Sequence, residues 1–202
     1  MKRVLVFVII LVFSLSQFFL LFSHRNLKHE IALKNKVLDE QVTKYATIQP
    51  QFELGFQNIG CMIDREMSVM DTTNDVVKLR DVIKGNTLVC RISDRYCTLC
   101  VEHNVSVLTD NKSIFDVSKV LILSNSCNSR VFKLQIREYG LEKYNVFNCT
   151  DLGLHIDNIM FPYFMVVDSS LTVRAVYAPS KSTHGTDFDF KNVKLMYDTF
   201  VN

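Results

Sequence analysis

The sequence predicts an α/β domain, a mixed sheet flanked by helices, carried behind an N-terminal apolar segment and a helical stalk. Three observations predict it. Val4 to Phe22 is a run of nineteen residues without a charge. From Thr87 onward, short β-branched and apolar runs alternate with segments of helical period. Finally, Cys97-Thr98-Leu99-Cys100 sits where one such run hands over to a helix. The 202 residues have room for one ordinary domain with appendages, and the 48% apolar content can furnish its core. Net charge is +2, with Lys and Arg scattered singly, so nothing points to a nucleic-acid partner.

The opening run follows Lys2 and Arg3 and is long enough to cross the hydrocarbon core as a helix. A cleaved signal sequence is the rival, with Ser14-Leu15-Ser16 as its cleavage site. Cleavage there would leave Phe18 to Phe22 as a greasy new N-terminus, so a retained membrane anchor is favoured. Orientation stays open, because Arg25, Lys28, Lys34 and Lys36 balance Lys2 and Arg3 across the run. Six cysteines lean toward an oxidising compartment. From Asn26 to Gln49 there is no Gly or Pro, and Leu27, Ile31, Leu38, Val42 and Tyr45 recur at mostly helical spacing. This predicts a solvated helical stalk stopping near Pro50. The expected division is therefore 1–22 anchor or signal sequence, 23–50 stalk and 51–202 domain.

Gln51 to Met70 suggests short lead-in strands, with Thr73 and Asn74 at a turn. Val76-Val77-Lys78-Leu79 reads as a short strand, and Leu79 to Ile83 as a helical turn closed by Gly85. The strand 87–93 leads into CxxC and a helix ending near Leu108. Lys119 to Leu123 is an apolar strand, Ser129 to Tyr139 a helix ended by Gly140, and Tyr144 to Phe147 another short strand. A brief helix at 151–159 follows. Tyr163 to Val167 and Leu171 to Tyr177 then form a hairpin about Asp168-Ser169-Ser170. The last helix starts near Thr186 with Asp189 placed as in a capping box. Phe190, Val193, Met196, Tyr197 and Phe200 share its buried face. Strand–helix–strand order implies parallel strands joined by right-handed crossovers, to which the hairpin adds antiparallel ones.

A CxxC at a strand-to-helix junction brings the first sulfur beside helix N–H groups, whose partial positive charge favours the thiolate. With Phe161-Pro162 placed just before the strand Tyr163 to Val167, the order of elements resembles the thioredoxin fold. The resemblance runs from about Val76 to the C-terminus. It is nearest to the membrane-anchored thiol-disulfide oxidoreductases of the bacterial cell envelope, through the lead-in Val77 to Ile83, the inserted 129–159 segment and the stretch Phe161 to Ser170. It implies a cis bond at Phe161-Pro162 facing the CxxC, and protein thiols or disulfides as partners. It also implies a redox-active Cys97–Cys100 disulfide with no other cofactor and no metal. The implied location is the inner membrane, with the domain facing the periplasm or exterior. Cys97 would exchange with substrate and Cys100 would resolve the mixed disulfide, while Tyr96, Thr98, Leu99, Phe161 and Pro162 would border the substrate chain.

Four residues depart from that pattern. Tyr96 stands where the family usually has Trp, Thr98-Leu99 lacks the common proline, and Val105 replaces a helix-kinking proline. Arg91, six positions before Cys97, stands where thioredoxins carry a buried acid. Glu102, His103 and Arg91 are candidates for proton transfer or thiolate stabilisation; a solvated helix face and a salt-bridged arginine are the plainer readings. Cys90 reads as a small buried hydrophobe. Cys127 and Cys149 each follow a strand's carboxyl end, which makes a second disulfide a hypothesis. Two rival functions stay open: a copper carrier using the cysteines with His155 or His184, and a non-catalytic interaction module. A peroxidase is disfavoured, since Asp94 stands where such enzymes place threonine.

Overall fold

The computed structural model describes residues 2–179 and 185–202, with many side chains of the first fifty residues and those of 185–186 outside the description. The chain divides into two compact units, Met1–Ile48 and Gln49–Asn202. Helix α1 (Lys2–Asn58) makes up the first and contributes its last residues to the second. In the first unit Leu27, Ile31, Leu38 and Val42 are exposed, and Glu30 pairs with Lys34 at 2.9 Å one turn on. Most side chains of the run Val4 to Phe22 lie outside the description. Among the described residues no helix is long and apolar enough to cross a membrane.

The helix expected to stop near Pro50 continues to Asn58. Proline removes one N–H from the helical ladder, and tertiary bonds offset that loss. The Gln51 amide both donates to the Ala178 carbonyl and accepts from its N–H. The buried Asn58 caps Leu54 O and accepts from Ile156 N. Within the stretch Gln51 to Met70, where short lead-in strands are expected, residues 51–58 are therefore helix and Ser68–Met70 is a strand.

The second unit is built on a seven-stranded sheet of order β2-β1-β5-β4-β3-β6-β7. Its elements in chain order are β1 (Ser68–Met70), β2 (Val76–Lys78), α2 (Leu79–Val82), β3 (Thr87–Ser93), α3 (Thr98–Thr109), β4 (Val120–Asn125), α4 (Ser129–Glu138), β5 (Asn145–Asn148), β6 (Tyr163–Val167), β7 (Val173–Tyr177) and α5 (Gly185–Phe200). The brief helix expected at 151–159 is a 3-10 segment, His155–Ile159. β3 pairs parallel with β4, and β4 with β5. β6 lies antiparallel on the other side of β3 and pairs with β7. This is the mixed, helix-flanked sheet that the resemblance implies.

Alternation along β3 explains the two cores. Leu88, Cys90 and Ile92 face α3, α4 and α5, joining Val101, Val105, Phe132, Val193 and Tyr197. Val89 faces the opposite way, with Leu121, Leu123, Tyr163, Met165, Leu152, Leu154 and Ile156. The two crossover helices lie in one core because the chain steps from β3 to β4 to β5 in a single direction, and crossovers of one hand then share a face.

Local chemistry sets the ends of α4. Asn128 accepts from Val131 N at 3.0 Å as N-cap. At the other end Leu141 N bonds Ile136 O and Gly140 N bonds Arg137 O, with Gly140 at φ +64°. This double bond requires the left-handed conformation that glycine adopts without a Cβ clash. In α5, Phe190, Val193, Met196 and Tyr197 pack on the sheet as expected, but Phe200 is 39% exposed. The buried Asp189 carboxylate bonds His103 and Tyr177, while the Thr186 side chain of the expected capping box lies outside the described residues.

Candidate functional site

β3 ends at Ser93, and a short turn carries the chain to Cys97, which is the N-cap of α3. The Cys97 carbonyl accepts from Cys100 N at 2.9 Å and Val101 N at 3.0 Å. The first sulfur is thus borne at the helix N-terminus, at the carboxyl edge of the sheet. Cys97 is exposed and Cys100 half-buried. That gradient arises because Val101, on the next turn position, is anchored in the core while Thr98 and Leu99 face solvent. Leu99 is 74% exposed. Tyr96 is half-buried against the first core, and burial raises its phenol, opposed by the charge of Arg91.

Phe161 is half-buried and Pro162 buried immediately before β6. The Phe161–Pro162 bond is trans, since there is no cis peptide among the described residues, which corrects the cis-proline expectation. The change of direction that a cis bond would supply is made one residue earlier. Met160 takes the left-handed conformation (φ 54°, ψ 32°) as the 3-10 segment ends, so the chain reverses into β6 with proline in its ordinary isomer. Met160 is 53% exposed.

Between this loop and the CxxC lead-in lies a cavity of about 240 Å³ lined by Arg95, Tyr96, Asn125, Asp151, Asp157, Asn158 and Met160. Behind it is the feature that sequence reasoning read least well. Arg91 is fully buried, and its donors turn toward the segment after β5. One terminal nitrogen donates to Cys149 Sγ at 2.9 Å and the other to Thr150 O at 2.7 Å. Its Nε lies 3.5 Å from Asp157 Oδ1 and makes no hydrogen bond. Asp157 also accepts from the Tyr163 hydroxyl at 2.7 Å and from Leu152 N at 2.8 Å. Burial raises the Asp157 carboxyl against the pull of Arg91, pushes Tyr163 well up and raises the Cys149 thiol. Cys149 is therefore a neutral acceptor for the guanidinium at neutral pH.

Glu102 is exposed and does not line the cavity. His103 turns to α5, where Nε2 lies 2.6 Å from Asp189 Oδ2. The Asp189 carboxylate in turn accepts from the Tyr177 hydroxyl. Of the three proton-transfer candidates, only Arg91 stands against the wall of the cavity, held by Asp157, one of its lining residues.

Cys127 and Cys149 are not bonded to each other. Cys149 is buried on Arg91 while Cys127 is exposed, its N–H bonded to Asp94. The suggested Cys127–Cys149 bridge is not formed, because the buried guanidinium takes the second sulfur. Among the described residues no group of three or more His, Cys, Asp and Glu is placed to hold a metal ion. His155 is exposed in the 3-10 segment, and His184 lies outside the described residues. Asp157, Tyr163 and Asp189 were not singled out from sequence for these roles. The signal for Asp157 was Arg91 itself, since an arginine inside an apolar strand demands a buried counter-charge.

No family model matches the chain, and no curated protein matches it. Solved structures do resemble it. A thiol:disulfide interchange protein from a Bacteroides species is 15% identical, with 72% of this chain and 93% of that one covered at a TM-score of 0.48. The thioredoxin domain of a thiol-disulfide oxidoreductase from Bacteroides vulgatus is 15% identical, with 68% and 97% covered at 0.47. A secreted disulfide oxidoreductase from Mycobacterium tuberculosis is 10% identical, with 64% and 96% covered at 0.46. These structural neighbours are thioredoxin-like thiol-disulfide oxidoreductases.

Proposed function

We propose that this chain is a thiol-disulfide oxidoreductase acting on protein cysteines through Cys97 and Cys100. The observation that carries it is the placement of the two thiols, Cys97 exposed at the N-terminus of α3 and Cys100 half-buried one turn within. The helix N-terminus favours negative charge on the outer sulfur. Exposure lets a polypeptide approach it.

In the reducing direction the Cys97 thiolate attacks a substrate disulfide. A mixed disulfide forms and one substrate thiolate leaves, taking up a proton. Cys100, deprotonated, then attacks Cys97 Sγ, so that the Cys97–Cys100 bond forms and the second substrate sulfur leaves. Two electrons and two protons pass to the substrate, and the reverse sequence oxidises it. The potential of the pair against its partners sets the direction. Leu99, Tyr96 and the Met160–Phe161–Pro162 loop border the approach to Cys97.

The reading extends to place. The apolar run Val4 to Phe22 anchors the chain in the inner membrane of a bacterial envelope, with the catalytic domain on the periplasmic or outer side. Its length and lack of charge support this.

The test is trapping. Full-length protein with Cys100→Ser should accumulate mixed disulfides with protein substrates, seen as dithiothreitol-sensitive bands, and Cys97→Ser should form none. Cys97→Ser exchanging as fast as wild type would overturn the assignment. Alkaline extraction should leave the full chain with the membrane and release a variant lacking residues 4–22.

A further inference from the structure

Arg91 stands at the last rung of the β3–β6 ladder, with Tyr163 as its cross-strand partner. Pro162, Phe161 and Met160 immediately precede that partner, so the ladder's end fixes where the loop leaves the sheet. Beyond the rung, β3 continues two residues to Ser93 and then turns toward Cys97. The loop and the CxxC lead-in are therefore launched side by side from one point, and Arg91 is the side chain buried beneath it.

What Arg91 grips is the other end of the same loop. Asp157 lies in the 3-10 segment that ends at Met160, and it receives both the Arg91 charge at 3.5 Å and the Tyr163 hydroxyl at 2.7 Å. Residues 157 to 163 are thus closed into a ring whose clasp is two side chains, both fully or nearly buried. A second pair of bonds, from Arg91 to Cys149 and to the Thr150 carbonyl, pins the chain entering the 3-10 segment. Asp157, Asn158 and Met160 on the loop side share one cavity with Arg95 and Tyr96, the residues leading into Cys97.

We propose that the buried Arg91–Asp157 pair is a tether that holds the Met160–Phe161–Pro162 loop at the substrate-facing side of Cys97. It makes Arg91 a positioning residue for polypeptide substrates rather than a group acting on the sulfurs. The inference rests on the oxidoreductase reading for its substrate, but not for the tether itself. A guanidinium suits the task because its planar fork bonds Cys149 and Thr150 in fixed directions while its Nε edge sets the charge 3.5 Å from Asp157, which an ammonium cannot do. The clasp closes the loop on the side of Asp157 and Tyr163, beside the residues that lead into Cys97. Small disulfides need no docking and react with Cys97 directly.

The experiment compares full-length wild type with Arg91→Met, Arg91→Lys and Tyr163→Phe. Each is reacted in its reduced form with a disulfide-bonded peptide and with 2,2′-dithiodipyridine. Arg91→Met should slow the peptide reaction about tenfold or more through KM, leaving the dithiodipyridine rate within twofold of wild type and the midpoint potential of the pair unshifted. Arg91→Lys should fall between. Should Arg91→Met fail to fold, Tyr163→Phe removes one bond to Asp157 while keeping β6, and should slow the peptide alone by about threefold. Equal slowing toward both reagents, or a shifted potential with unchanged KM, would overturn the proposal in favour of a direct effect on the thiols. Amide exchange of residues 155–161, measured in the same variants, should accelerate selectively. If wild type exchanges with no peptide at all, the oxidoreductase reading fails, and amide exchange alone then decides the tether: unchanged protection in Arg91→Met or Tyr163→Phe sinks it.

Discussion

At the scale of single residues, two centres of buried charge lie on opposite faces of the sheet. Arg91 and Asp157 hold one, and Asp189 holds the other, bridging α5 to Tyr177 of β7 and to His103 of α3. Burial and the neighbouring Asp189 carboxylate together push the Tyr177 phenol far up. Asp189→Ala would leave a buried hydroxyl without its acceptor, which costs about 1–3 kcal/mol of stability. Urea unfolding should register that loss, with Asp189→Asn recovering part of it, and a spectrophotometric titration should find Tyr177 ionising at lower pH in the alanine variant. An unchanged urea midpoint would mean that this contact carries no stability. From sequence, Asp189 was visible only as a helix-capping pattern, because the local spacing Thr186 to Asp189 carries no record of a tyrosine on β7. Arg91 was flagged by its position before Cys97, but its partner lies in a loop sixty-odd residues on, beyond any periodicity.

At the scale of elements, the β6–β7 hairpin is capped by one carboxylate. Asp168 accepts from Ser170 N at 2.8 Å, the Ser170 hydroxyl at 2.6 Å, Thr172 N at 3.0 Å and Arg174 Nε at 2.6 Å. Burial works to raise its carboxyl, but these donors overcome that and hold it at about 2, below the ordinary 3.8. A carboxyl depressed in the folded state stabilises the protein above its unfolded value and loses that contribution as pH falls. The hairpin's contribution should thus be intact above pH 4 and fade toward pH 2. Asp168→Asn should cost on the order of 1–2 kcal/mol at pH 7, after allowance for the partly exposed Arg174, and only a fraction of that at pH 2. Equal losses at both pH values would show that the carboxylate's charge is irrelevant. The hairpin, α4 and the three parallel strands were legible because each announces itself locally, by turn chemistry, by caps or by an apolar run. The region from Gln51 to Cys61 was misread because its helix persists past a proline through bonds to Ala178 and Ile156, partners that a local pattern does not contain.

On the scale of the whole molecule, the second unit is one sheet with an apolar layer on each side, and both layers share β3, β4 and β6. Damage to either should therefore weaken the same cooperative transition. Phe132→Ala on the α4 side should cost about 3–5 kcal/mol and Leu121→Ala on the opposite side about 2–5 kcal/mol. Tyrosine fluorescence in urea should follow a single transition in both, with unchanged slope; a second transition in either would mean that the layers unfold apart. The architecture was readable in advance because alternation fixes both faces of a central strand. The loop before β6 was not, since its turn depends on Met160 entering a left-handed conformation that sequence seldom advertises.

The grading of the six cysteines from surface to interior has a consequence for the protein's life before folding is complete. Cys90 and Cys149 are buried, and burial pushes Cys90 up to about 12. A native chain meeting an oxidant offers it chiefly Cys97 and Cys127. An unfolded chain offers all six, which can be cross-linked in fifteen complete pairings. Completing the sheet therefore quarantines the thiols that exchange chemistry would otherwise scramble.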